Sequence, residues 1–159
     1  MGEWNVWWVV GGDVGVVLAA LGARWAWLLA RSVQVERARE LFRLQHERFE
    51  GMLLAATRAT GKPRGLTWVG CEITGAAVLA RDTTTRGLVA LVPVEVRFEP
   101  IPGSDMEDVP AAREPRQATA VFTFSRGHWH TDGRVVFNLA PRQAAAHFDR
   151  QLAVIEPHH

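Results

Sequence analysis

Cysteine is nearly absent. Cys71 is the only one in 159 residues, so no internal disulfide can form and nothing points to an oxidising compartment. Lysine is equally scarce, with Lys62 alone, and the remaining basic side chains are arginine. The net charge is +1, well short of the basic excess that nucleic-acid proteins carry, so no nucleic-acid partner is expected. The usual marks of catalysis are missing too. Gly61-Lys62-Pro63-Arg64 lacks the glycine-rich run before it and the Ser or Thr after it that a phosphate loop needs. His46-Glu47 has no second histidine at metalloprotease spacing. Ser32, Ser104 and Ser125 stand in no elbow-like context. No catalytic residue and no cofactor are therefore expected. The chain also has no internal repeat and no low-complexity tract.

What the chain has in excess is apolar sequence near its start. Residues 4–30 read WNVWWVVGGDVGVVLAALGARWAWLLA. A membrane-spanning helix needs roughly 20 mostly apolar residues at about 1.5 Å rise each. Residues 6–23 approach that length with Asp13 inside. The frame 14–30 moves Asp13 to one interface and makes Arg24 snorkel to the other. In either frame Trp7, Trp8, Trp25 and Trp27 lie near the ends, as an aromatic belt requires. The expectation is a single-pass membrane anchor over residues 1–30, with an interfacial helix or a buried hairpin as the other readings. Asp13 either contacts a partner helix inside the membrane or flanks the span. A cleavable signal peptide fits poorly, because no basic residue precedes the apolar run and no small-x-small site follows it. Arg24, Arg31, Arg37, Arg39, Arg43 and Arg48 follow the span, so the positive-inside rule places the carboxy-terminal part in the cytoplasm.

Residues 31–60 read as one amphipathic helix or stalk. Val35, Ala38, Phe42, Phe49, Met52, Leu53 and Ala56 form its apolar stripe, and Gly61 with Pro63 ends it. Residues 61–157 then form an antiparallel sheet with a closing helix. From Leu66 the period changes to two, predicting strands over 66–73, 76–81, 88–99, 118–125, 128–130 and 134–139. In the third of these the even positions Leu88 to Phe98 are apolar throughout. The odd positions begin apolar and end with Glu95, Arg97 and Glu99. Pro93 marks an edge or a bulge, since proline cannot donate to a ladder. A helix from Pro141 to about Ile155 closes the chain, its stripe being Ala144, Phe148, Leu152 and Ile155.

The expected fold is α+β: an amino-terminal transmembrane helix, a long amphipathic helix, five or six antiparallel strands and a carboxy-terminal helix, with helices on one face of the sheet. The element order resembles cystatin-like and nuclear-transport-factor-2-like folds, in which a long helix crosses a curved antiparallel sheet. The resemblance rests on order alone and implies no function.

Three features invite a functional reading. His128-x-His130-x-Asp132 puts both imidazoles on one side of a strand, within reach of one metal, or else leaves them facing water around an inward Trp129. Met106, Glu107 and Asp108 sit in a proline-rich loop over residues 100–117 and either meet a partner or are solvated. Cys71 has no evident activator. The leading expectation is a non-catalytic membrane-anchored accessory or assembly protein. Its partners are the membrane and either another membrane protein or a second copy of the chain. The alternative is a ligand-binding module or small enzyme using a cup between helix and sheet, with metal binding at the histidine hairpin as the weaker option.

Overall fold

The computed structural model describes the backbone of residues 6–60 and 63–156, and their side chains apart from residues 6–17, 27–32 and 34. The chain divides into two units, residues 1–37 and residues 38–159. Helix α1 runs Val6–Leu44 and helix α2 runs His46–Thr60. Among the described residues no helix is long and apolar enough to cross a membrane. This corrects the expected single-pass transmembrane anchor, and the cytoplasmic placement argued from arginines beside it loses its premise. The uninterrupted run of described side chains there, residues 18–26, rises only about 14 Å against a hydrocarbon core of about 30 Å. Trp7, Trp8, Asp13 and Trp27 lie outside the described side chains, whereas Arg24 and Trp25 are described and exposed, Trp25 to 68%.

The stripe expected over residues 31–60 is present, with a break at Gln45 that divides it between α1 and α2. Neither glycine nor proline marks the break. The Phe49 N–H donates to the Gln45 carbonyl at 3.1 Å, so α2 starts on its own first turn. Ala38, Phe42, Phe49 and Leu53 are all buried. Phe42 and Phe49 stack at 4.6 Å, and both meet Phe122 edge-on at 5.6 and 5.5 Å.

Seven strands form one wholly antiparallel sheet: β1 (Leu66–Ile73), β2 (Val78–Asp82), β3 (Leu88–Pro100), β4 (Arg116–Ser125), β5 (His128–His130), β6 (Val135–Phe137) and β7 (Leu152–Val154). β3 is the spine. Along one side it pairs with β4 in unbroken register, from Leu88↔Phe124 to Val96↔Arg116. Its other side is shared, with β2 covering Leu88–Leu91 and β1 covering Val94–Pro100. Pro93 falls at the change-over. It is neither at an edge nor in a bulge; its own carbonyl accepts the Thr74 N–H at 3.0 Å on the side where the strands exchange. A residue's N–H and C=O leave an extended strand on the same side, so proline's missing donor costs no ladder bond there.

The sheet is covered on both faces, not on one. The even residues of β3 from Ala90 to Phe98 are buried, and Ala90, paired with Phe122, lies beneath Phe42 and Phe49. The odd residues Val89 and Leu91 pack against Ala144 and Ala145 of helix α3, Pro141–His147. Beyond Pro93 the odd face turns polar, with Arg97 within 3.2 Å of Glu95 and 3.8 Å of Glu72. α3 is therefore half the length expected. It stops at Phe148, and the Gln151 and Leu152 N–H groups both donate to the Phe148 carbonyl at 2.8 Å. The chain then pairs as β7 with the open side of β2. Pairing with β2 outcompetes two further helical turns whose stripe has only Phe148, Leu152 and Ile155 to bury.

Candidate functional site

A groove of about 720 Å³ opens at the β2–β7 end of the second unit. Its floor is apolar, made by Phe42 of α1, Val78 and Leu79 of β2, and Val154 and Ile155 at the end of the chain's last strand. Ala76 and Ala77, in the connection between β1 and β2, form a wall of small side chains. The charged residues that line it are all basic: Arg39 and Arg43 from α1 and Arg142 from α3, with His46 beside them.

Local structure places each part. Arg39 and Arg43 are four apart on α1 and so share one side of it next to Phe42, whose ring His46 meets edge-on at 6.1 Å across the break at Gln45. The Ile155 N–H donates to the Leu79 carbonyl at 2.8 Å, which holds the last strand along β2. Gln143 accepts the Ala140 N–H at 3.0 Å and fixes the start of α3, where Arg142 sits. Two of the guanidinium groups are held on the solvent side. Arg43 reaches both Glu40 oxygens at 3.0 and 3.2 Å, and Arg142 reaches Glu156 at 3.3 Å. The bond from Arg43 holds the Glu40 carboxyl below the usual carboxylate range, and the same bond raises Arg43. All four side chains are more than half exposed. Such exposed pairs are weakly held and rearrange readily.

The residues singled out in the sequence lie elsewhere. His128 and His130 are exposed on β5, on the side opposite the buried Trp129. The Trp129 indole N–H donates to the Ala38 carbonyl at 2.9 Å and its ring meets Phe42 edge-on, so the hairpin's inward residue is a structural anchor. Asp132 accepts the Arg134 N–H at 3.1 Å and thus shapes its own turn. His130 Nδ1 lies 3.5 Å from Ser125 Oγ. Among the described residues no group of three His, Cys, Asp or Glu is placed to hold a metal ion.

The loop after β3 is bound to itself and to Gly65, the residue before β1. Glu107 accepts the Gly103 N–H at 2.7 Å, Ser104 donates to the Gly65 carbonyl at 3.1 Å, and Ala112 is buried in a single 3₁₀ turn at Pro110–Ala112. Met106 is 38% exposed, and Asp108 is exposed. Cys71 is half-buried, and burial together with the charge of Glu50 pushes its thiol up to about 12. It is protonated at neutral pH and a poor nucleophile.

The groove was not found in the sequence. Its lining comes from α1, α2, the β1–β2 connection, β2, α3 and β7, which only the topology brings together. The one legible signal was the basic stripe Arg39, Arg43 and His46 flanking a core phenylalanine. No protein-family model matches the chain, and no curated protein and no solved structure is similar to it.

Proposed function

We propose that this is a non-catalytic assembly protein whose first unit associates with further copies of the same helix. The observation that carries this reading is the exposure of residues 18–26. All of them are exposed, Leu18 to 64%, Leu21 to 57% and Trp25 to 68%, although Arg24 is the only charge among them. A helix without a polar face has to be enclosed on all sides. Copies of itself provide such an enclosure, and closed homo-oligomers are the commonest assemblies. Burying each large side chain contributes about 1.5–3 kcal/mol, enough for three of them to drive association. The protonated Cys71 and the structural bonds of Asp132 support the non-catalytic part of the reading. The test is light scattering of the full chain beside a Leu18→Glu, Leu21→Glu, Trp25→Glu variant. The expected result is an oligomer that the substitutions convert to a folded monomer. A wild-type chain that is monomeric at micromolar concentration overturns the reading, as does one that partitions onto lipid vesicles rather than assembling.

The groove favours a second reading, a small-ligand-binding module. It has the apolar floor and few polar groups of such sites, and its volume lies in their usual range of about 300–1,000 Å³. The element order that resembles cystatin-like and nuclear-transport-factor-2-like folds accords with a helix–sheet cup, as a likeness of order alone.

A further inference from the structure

We propose that the groove binds a single-chain amphiphile with an anionic head, its chain on Phe42, Leu79 and Ile155 and its head at Arg43 and Arg142. The inference rests on the ligand-binding reading above and names the ligand's chemistry. Two properties of the groove combine to select this class. The floor has no charged side chain, so a strongly polar ligand would gain little by lying on it. The rim has arginine from two different helices and no acidic side chain among its lining residues, so a wholly apolar ligand would leave that field unused. An amphiphilic anion matches both. The fork of each guanidinium suits a carboxylate or a phosphate equally, with two parallel N–H donors to two oxygens.

The acidic neighbours decide whether those arginines can turn inward. Glu40 holds Arg43 and Glu156 holds Arg142, and neither glutamate lines the groove. Both pairs are solvent-exposed, and a pair of that kind is only weakly held. An anion partly withdrawn from water by the apolar floor competes for the same guanidinium at a lower local dielectric, where the attraction is stronger. The flexible arginine stems need only re-aim, without a change of backbone.

The experiment is calorimetric titration of the full chain with dodecanoate, dodecyl phosphate and dodecanol, each below its micelle or solubility limit. It compares wild type, an Arg43→Gln/Arg142→Gln variant, and an Ala76→Trp variant whose indole fills the groove from its small-residue wall. Ala76 is exposed, so this change leaves the core untouched. The expected result is saturable binding of the anionic chains, weakened at least tenfold by the double glutamine change. Dodecanol binds more weakly and is indifferent to that change, and Ala76→Trp abolishes binding of all three. A phosphate that outbinds the carboxylate, or the reverse, identifies which head the arginines prefer. If dodecanol and dodecanoate bind alike in wild type and in the double variant, while Ala76→Trp blocks both, the anionic head is wrong and the groove reading stands. If Ala76→Trp leaves all binding intact, or nothing binds to the wild type, both fall.

Discussion

Two stretches of this chain are similarly apolar and end in opposite places. In β3, LVALVPVEVRFEP, every residue from Leu88 to Val92 is buried, as are Val94, Val96 and Phe98. In α1, residues 18–26, LAALGARWA, are exposed without exception. Hydrophobicity alone does not distinguish them. β3 has period-two patterning with one face apolar to its end, and it is met by β4 on one side, β1 and β2 on the other, and helices above and below. The helical stretch spreads its apolar residues all round, so no single sheet face could cover it. Burial follows from whether a pattern matches an available layer, and the uncovered stretch is the one for which a partner has to be sought.

The sharpest test of that contrast pairs a residue from each side. Phe122→Ala removes a ring that meets Phe42 and Phe49 under a fully buried β4 position and is expected to cost about 3–5 kcal/mol in urea unfolding. Leu21→Ser, on the exposed helix, is expected to leave the unfolding of residues 38–159 within about 0.5 kcal/mol, while weakening assembly. Equal losses would erase the distinction between the two stretches.

A smaller effect is expected where the two layers touch by backbone. Gly133 has φ +81°, and a Cβ there would meet the Ala56 carbonyl carbon at 2.8 Å and the Thr57 nitrogen at 2.9 Å. Gly133→Ala therefore combines a left-handed backbone with a collision against α2, for a loss of about 3 kcal/mol. Gly127 has φ +84° with nothing within 4 Å of a Cβ, so Gly127→Ala isolates the conformational part, about 1 kcal/mol. A Gly133→Ala protein as stable as Gly127→Ala would mean that α2 does not lie against this turn.

The smallest expected effect is a pH dependence in the β2–β3 hairpin. Asp82 Oδ1 accepts the Thr85 and Thr84 N–H groups at 2.7 and 2.8 Å. These bonds, that from Thr85 foremost, hold its carboxyl below the ordinary value of 3.8. A depressed folded value means the contribution is complete above 3.8 and is lost as pH falls through the lower folded value. Asp82→Asn is expected to flatten the stability curve in that acid range and to lower it by a constant amount at higher pH, where the wild-type carboxylate contributes in full. Thermal melts across the range check this, and a wild-type curve that is already flat below 3.8 would count against the turn.

Much of the second unit was legible. The period-two run placed β3 almost to the residue, and its switch from apolar to charged odd positions anticipated a second face covered only as far as Pro93. Arg126-Gly127, with φ +50° and +84°, makes the two-residue hairpin that the sequence suggests. What could not be read depended on competition between partners. Residues 152–154 fit a helical stripe as well as a strand, and only the open side of β2 decides for the strand. The break at Gln45 has no local breaker. His128, His130 and Asp132 share a short segment and so drew notice, whereas the groove's lining, scattered from Arg39 to Ile155, did not.

The position of Pro93 has a kinetic consequence. Because β3 carries two short strands on one side where a single long one would fit, that side is not one zipper but two flaps. β1, packed beneath α2, and β2, tied to β7, each end at the proline, and neither ladder continues into the other. Either flap can lift while β3 and β4 stay locked in register. Amide exchange along the sheet should then separate into two cooperative blocks divided at residue 93, with the groove belonging to the β2 block alone.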